Sequence, residues 1–263
     1  MKRVISYSLF WCGKDSHANL YTNGIPAICR AHHTCFPGWE WRVYHDGSLD
    51  NNLQSAWLRA YEKAGLVTLV DMGPDEVLCR AMLRRMSPAF DTDVEVFLCR
   101  DMDSLPTPRE RRMVDQFLGT HAAMHVISDH PQHSAALMGG LCGFRSDPFR
   151  RLMGWSKLEH MTKAAPLGTH GDDQLLLAQR VWPKLEHSLC EHRLAGRALQ
   201  PGSFGFKTVP VTDLHDVPPE VSLGGDGLLL FLGQPGFDPA PAIDFYNRQG
   251  DPDTMRRIQA CEQ

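Results

Sequence analysis

The stretch Val94-Glu95-Val96-Phe97-Leu98-Cys99-Arg100-Asp101-Met102-Asp103-Ser104 decides how the chain is read: an apolar run ends abruptly in two carboxylates one residue apart. So short a run, rich in Val, Phe and Leu, predicts a buried strand, with the carboxylates emerging where it leaves the sheet. In α/β proteins that edge is where ligands bind. Extended residues two apart project to one side, so Asp101 and Asp103 can converge on one hard cation while Met102 turns back to the core. A cation held there suits a diphosphate.

Outward from this strand the pattern alternates. Val4 to Phe10 predicts a first strand running into the turn Gly13-Lys14-Asp15, where a nucleotide contact fits. A helix over about 18–32, interrupted at Gly24 and Pro26, leads through Pro37-Gly38 to a strand over Glu40–Tyr44. Asp50 is the expected cap of a helix carrying Leu53, Trp57, Ala60, Tyr61 and Ala64, followed by a strand over Leu66–Val70. Glu76–Met86 reads as an amphipathic helix stopped before Pro88, and the central strand follows. This βαβα rhythm predicts an α/β fold: a single Rossmann-like domain with a mostly parallel central sheet flanked by helices.

Beyond the carboxylates, Thr107-Pro108-Arg109-Glu110 is a capping box with Pro at the first helical position. His121–Ile127 reads as a strand, 128–133 as a loop, and Ala136–Phe144 as a strand interrupted by Gly139-Gly140, where a ligand or backbone can approach closely. Pro148–Leu158 reads as a helix. Asp172-Asp173-Gln174 opens a Leu-rich helix that Pro183 is expected to end. Proline and glycine then crowd the chain, and only Leu228–Leu232 looks like a strand. The expected organisation is a catalytic region over 1–195 and a loop-rich segment over 196–263 that packs on the same domain.

Composition excludes several classes. Net charge of −4 over 263 residues, with a pI near 6.3, argues against a nucleic-acid partner. Lys2-Arg3 before Val4–Trp11 has a superficial leader pattern, but Ser6, Ser8 and Gly13-Lys14-Asp15 break it, and no run has the length of a transmembrane span. The eight cysteines are scattered without CxxC spacing, which fits buried thiols and a cytoplasmic location.

In order along the chain, Ser6-Tyr7-Ser8-Leu9, Phe36-Pro37-Gly38-Trp39, Arg100-Asp101-Met102-Asp103-Ser104, Asp129-His130-Pro131 with His133, Gly139-Gly140, Asp172-Asp173-Gln174 and Trp182-Pro183 together resemble a GT-A-type glycosyltransferase, of a small bacterial and viral group. The resemblance covers roughly the first three quarters of the chain. It implies a nucleoside diphosphate sugar as donor, Mn²⁺ or Mg²⁺ on Asp101 and Asp103, and transfer to an acceptor hydroxyl. Similar proteins often carry a His-Ile-Gly near the C-terminus; here Phe231-Leu232-Gly233 stands in its place, and His215 is the candidate substitute ligand. The segment carrying them is expected to fold towards the donor and to order with it.

The remaining roles have alternatives. Asp173 is the candidate acceptor-orienting group or general base, with Asp172 as helix cap, although a carboxylate at a helix start also serves simply as a cap. Arg100 can pair with a phosphate or with Asp101. Arg80 resembles a donor-binding arginine, or is a solvated helix residue. Asp129 and His130 can contact donor sugar or acceptor beside Gly139 and Gly140. HxxH spacing at His130 and His133 also raises zinc, but no compact ligand set accompanies it. Two rival functions remain: a non-catalytic sugar-nucleotide or glycan-binding protein of the same fold, which Phe231 supports, and a DxD phosphohydrolase. The phosphohydrolase pattern places its carboxylates on the first strand, whereas roughly ninety residues precede them here.

Overall fold

The computed structural model describes residues 1–11, 21–128, 135–163, 171–194, 207–211 and 239–263. In chain order the strands and α-helices are β1 (Lys2–Leu9), α1 (Ile25–Cys35), β2 (Glu40–His45), α2 (Leu53–Lys63), β3 (Thr68–Asp71), α3 (Leu78–Leu83), β4 (Val94–Arg100), α4 (Pro108–Leu118) and β5 (Met124–Ser128). There follow β6 (Leu141–Arg145), α5 (Ser146–Met153), α6 (Leu158–Thr162), α7 (Asp172–Leu176), α8 (Trp182–Leu185), β7 (Leu189–Leu194), β8 (Lys207–Val211), α9 (Pro239–Gln249) and α10 (Pro252–Cys261). Contacts divide the chain into two compact units. One comprises Met1–Ser6, Asp75–Arg100 and Arg112–Asp213; the other comprises Tyr7–Pro74, Asp101–Arg111 and Leu214–Gln263.

In the first unit the strands lie in the order β1-β4-β6-β5-β7-β8. β5, β7 and β8 run parallel, and β6 is antiparallel to both of its neighbours. β4 is buried along almost its whole length, as its largely apolar run predicts. Phe97, Phe144 and Phe149 form an aromatic group with ring centroids 5.1 to 6.1 Å apart. Val4, Met124, Val126, Leu177 and Val181 belong to the same core. Burying each such side chain contributes roughly 1.5–3 kcal/mol. These side chains therefore fix the register of β4, and with it the point where the chain leaves the sheet.

In the second unit the order is β3-β2-β1, with β2 and β3 parallel. Trp41 is buried on β2, edge-on to Tyr7 and stacked on His32 of α1. α1 also carries α9 and α10 along its length.

The α/β architecture with a mostly parallel sheet agrees with the sequence reading; several local boundaries differ for identifiable reasons. Asn52, not Asp50, caps α2. Its backbone is extended and its side chain accepts from Gln54 and Ser55 N–H, whereas Asp50 already lies within a 3₁₀ turn. Pro26 opens α1 instead of interrupting a helix, because a first-turn residue needs no N–H partner. Pro88 lies inside a 3₁₀ segment, Arg84–Phe90, that follows α3. Pro183 does not end the Leu-rich helix. A π-helical turn, Leu177–Val181, joins α7 to α8, and this wider turn makes room for the proline ring.

Among the described residues of the C-terminal segment, β8, α9 and α10 are regular elements that the sequence reading did not single out. Prolines 239 and 252 begin the two helices. Asp251 caps α10 by accepting from Thr254 N–H at 2.8 Å. Leu228–Leu232 lies outside the described residues.

Candidate functional site

Asp101 and Asp103 follow directly on β4, as expected. Met102 between them is 1% exposed, whereas both aspartates are half-buried. Met102 lies inward as expected, but residues 101–104 form a turn and not the extended run the sequence pattern suggested. Ser104 N–H donates to Asp101 C=O at 3.0 Å, closing a turn immediately after the strand. The chain is then caught by α4: Glu110 N–H donates to Thr107 Oγ1 at 3.1 Å, one half of the expected capping box. The segment from 101 to 107 is thus held at both ends by elements whose geometry is set elsewhere.

Arg100 is buried on β4, and its Nη1 donates to the carbonyls of Cys99 at 2.6 Å and Cys142 at 3.0 Å. These bonds tie β4 to the start of β6. Arg80 is exposed on α3 and pairs with Asp75 at 3.3 Å, and Asp75 also lies 3.8 Å from Arg84. That pairing is the arrangement of an ordinary solvated helix arginine.

A second group belongs to the first unit. Asp173, in the first turn of α7, is fully buried. Arg85 donates from Nη2 to its Oδ2 at 2.7 Å, and both side chains are withdrawn from water. Its other oxygen, Oδ1, has no hydrogen-bond partner among the described residues. A buried acceptor left so costs about 1–3 kcal/mol, which makes it a candidate ligand contact.

Gly139 lies against this pair. A Cβ added there would stand 2.3 Å from Arg85 Nη2 and 2.7 Å from Asp173 Oδ2, so the backbone approaches only because the side chain is absent. Gly140 is buried in the same turn, which Leu141 N–H closes onto Met138 C=O at 3.1 Å. Cys79 shares the neighbourhood: burial, and then the charge of Asp173, pushes its thiol up to about 12, so it stays protonated.

The expected division of labour between Asp172 and Asp173 needs correction. Gly171, with φ of 93°, occupies the cap position, so α7 has no side-chain cap and neither carboxylate serves as one. Asp172 is half-buried in the first turn. Asp172, the expected cap, makes no cap bond, and Asp173 is half of a buried ion pair.

At the carboxyl end of β2 in the second unit, Asp46 accepts from Trp11 N–H at 2.9 Å, from Ser48 N–H at 3.0 Å and from the Ser48 hydroxyl. Burial raises the Asp46 carboxyl, but the Ser48 and Trp11 bonds outweigh it and hold the group below its usual range. Trp11 has φ of 58°, a strained conformation for a non-glycine residue. His45 is buried, which lowers its pKa, and accepts from Gly47 N–H at 3.0 Å. Sequence reading passed over Asp46, Trp11 and Arg85. His45-Asp46-Gly47 looks like a plain strand-closing turn, and Arg85 reads as a helix-surface residue.

Asp129, His130 and His215 lie outside the described residues. Among the described residues no group of three or more His, Cys, Asp or Glu side chains is arranged to hold a metal ion. Asp101 and Asp103 nevertheless fit one. They are hard oxygen donors two residues apart in the turn that follows β4, and Mg²⁺-like ions are commonly held by one or two carboxylates together with substrate phosphates. Among the described residues no helix is long and apolar enough to cross a membrane, and the described cysteines are free thiols.

No family model matches the chain, and no curated protein matches it. Solved structures show distant likeness. Staphylococcus aureus TarS residues 1–349 in complex with UDP gives a TM-score of 0.47 at 14% identity, covering 80% of this chain and 61% of that one. A Bacillus anthracis protein assigned as a glucose-1-phosphate thymidylyltransferase, solved with sucrose, gives 0.46 at 10% identity, covering 75% and 88%. The mannosyltransferase PcManGT of Pyrobaculum calidifontis, with GDP-Man and Mn²⁺, gives 0.42 at 14% identity, covering 98% and 73%. Likeness at this level decides neither substrate nor activity.

Proposed function

We propose that the chain is a GT-A-type glycosyltransferase that moves a sugar from a nucleoside diphosphate sugar to an acceptor hydroxyl. One observation carries the reading: Asp101 and Asp103 stand as a half-buried pair in the turn that leaves β4, with Met102 buried between them. This is the donor set a diphosphate-bound divalent cation requires, at the sheet edge where α/β folds bind ligands. The ordered motif resemblance across three quarters of the chain points the same way.

In this reading Asp101 and Asp103 hold Mn²⁺ or Mg²⁺. The ion, when bound, supplies Lewis-acid stabilisation of the charge that develops on the diphosphate. The anomeric C–O bond breaks with its electron pair passing to the diphosphate oxygen, and the acceptor oxygen forms the new bond to the anomeric carbon. Asp173 orients the acceptor hydroxyl through Oδ1 and takes its proton, while Arg85 holds Oδ2. Because Asp173 is fully enclosed, a hydroxyl reaches it only as the surrounding chain opens. In this reading Asp46 and Trp11, joined by a hydrogen bond at the ends of β2 and β1, contact the nucleoside. His215, Asp129 and His130 retain the roles the resemblance implies, as third metal ligand and sugar contacts. Arg80 and Arg100 remain candidate phosphate contacts, and Gly139 and Gly140 remain the close backbone approach.

The test is calorimetric titration of nucleoside diphosphates with and without Mn²⁺, on the wild type and on Asp101→Asn/Asp103→Asn. The double variant is expected to keep its fold and lose the Mn²⁺-dependent part of the affinity. An unchanged Mn²⁺ dependence contradicts the assignment. Phe231 favours one second reading, a sugar-nucleotide-binding protein without turnover; that version binds donor but releases no nucleoside diphosphate from it.

A further inference from the structure

α9 reaches the segment that carries the two carboxylates. Tyr246 of α9 is fully buried, and its hydroxyl donates to the carbonyl of Pro106 at 2.7 Å. Burial, with Cys35 beside it, pushes the Tyr246 hydroxyl well above its usual pKa, so it stays a donor throughout the working pH range. Pro106 is itself buried, three residues beyond Asp103 and one before the capping residue Thr107. Cys35 Sγ lies 3.9 Å from both the Pro106 carbonyl and the Tyr246 hydroxyl, and Arg111 Nη1 donates to Cys35 C=O at 2.9 Å. The carboxylate segment, just before it enters α4, therefore rests on the junction of α9 with the end of α1.

That junction is firmly mounted. Arg30, buried on α1, donates from Nε to Asn247 Oδ1 at 2.9 Å, one residue beyond Tyr246. The same guanidinium reaches Glu262, just past α10, at 2.7 and 2.8 Å, and Pro26 C=O at 2.9 Å. One arginine thus fixes both C-terminal helices to α1 and sets the height at which Tyr246 meets Pro106. A pure stability role would be served by apolar packing. A buried hydroxyl aimed at the Pro106 carbonyl does more, because it specifies where the backbone lies.

We infer that Tyr246 is a positioning residue for the cation site: through Pro106 it holds the 101–107 segment so that Asp101 and Asp103 meet one ion, making the C-terminal helices part of the donor site's scaffold. This rests on the reading of Asp101 and Asp103 as metal ligands given above. Tyr246 does not touch the ion and acts only through backbone placement. The cation affinity consequently depends on contacts from the far end of the chain.

The experiment is titration with Mn²⁺ and the tightest-binding nucleoside diphosphate on three proteins: wild type, Tyr246→Phe and Tyr61→Phe. Tyr61 is an equally enclosed tyrosine bonded to Glu262, and among the described residues it has no hydrogen bond to the 101–107 segment. Both variants lose one buried hydrogen bond and are expected to melt slightly lower. Only Tyr246→Phe is expected to weaken the Mn²⁺-dependent affinity, by about fivefold, with Mn²⁺-independent affinity unchanged. Equal effects of the two variants, or unchanged Mn²⁺-dependent affinity in Tyr246→Phe, overturn the inference while leaving the metal site standing. Wild-type protein without Mn²⁺-dependent binding overturns the metal site, and this inference with it. If Tyr246→Phe does not fold, hydrogen exchange on the wild type decides. Mn²⁺ with nucleotide is expected to slow exchange in 239–249 together with 101–107; slowing in 101–107 alone refutes the coupling.

Discussion

Replacing Arg85 by Met removes the guanidinium that sits 2.7 Å from Asp173 Oδ2 and leaves a fully enclosed carboxylate whose other oxygen is already without a partner among the described residues. Removing one partner of a buried ion pair costs about 3–5 kcal/mol, because the remaining charge keeps its desolvation penalty and loses its compensation. For a chain of this size each kcal/mol lowers the melting temperature by roughly 2–4 °C, so the variant is expected to melt about 6–20 °C lower. The informative companion is Arg85→Met/Asp173→Leu, which replaces both charges by apolar groups of similar bulk. It is expected to recover most of the loss, to within about 2 kcal/mol of the wild type. Urea and thermal melts of the four proteins in the cycle, followed by circular dichroism, measure both quantities. An Arg85→Met protein within about 1 kcal/mol of the wild type refutes the reasoning. So does a double variant no more stable than the single one.

Three further outcomes follow from the same structure. Gly139→Ala drives a methyl group into the Arg85–Asp173 pair, so it is expected to lower turnover at least tenfold by the roughly 1.4 kcal/mol-per-decade scale, with little change in donor affinity; a steady-state assay with a donor that turns over checks the split. His125 and His192 form a buried pair at 2.9 Å, with His192 also bonded to Gln116 at 2.8 Å and His125 stacked on Phe117. Burial lowers both pKa values, that of His192 to about 4, so their contribution to stability is complete above the unfolded value of about 6.5 and is lost as pH falls from there towards 4. Melts between pH 7 and 4 are expected to show a steep loss that His192→Asn reduces. Asn52→Ala, which removes the cap of α2, is expected to cost about 1 kcal/mol, whereas Asp50→Ala is expected to change stability by less than about 0.5 kcal/mol; denaturant midpoints separate the two.

The parts of the molecule that could be read from the sequence are those where one strong local pattern points one way. Val96–Cys99 is continuously apolar and reads as a buried strand, so the exit of Asp101 and Asp103 and the inward turn of Met102 followed from it. Thr107 and Pro108 marked the start of α4 for the same local reason. Proline misled where its meaning depends on position. At 26, 239 and 252 it opens helices, and at 183 a π turn accommodates it.

The Arg85–Asp173 pair was hidden because its members stand 88 residues apart. Arg85 carried no signal of its own, and Asp173 had a sufficient local explanation at the start of a helix. What could have flagged them is the combination of a carboxylate doublet with a glycine doublet, since Gly139 is the residue that makes room for the pair. The clamp of Tyr246 on Pro106 was hidden for a similar reason. Nothing periodic in the proline-rich tail announces a helix whose one buried tyrosine reaches back 140 residues.

The most direct test of the central claim is a thermal-shift panel on the wild-type protein with nucleoside diphosphates of each base, with and without Mn²⁺. A ligand that binds only the folded chain at one hundred times its dissociation constant adds about 2.7 kcal/mol, which corresponds to a rise of roughly 5–10 °C. The account predicts such a rise for one base in the presence of Mn²⁺, and a much smaller one when the metal is chelated. A panel with no shift for any base, or with shifts indifferent to metal, contradicts it.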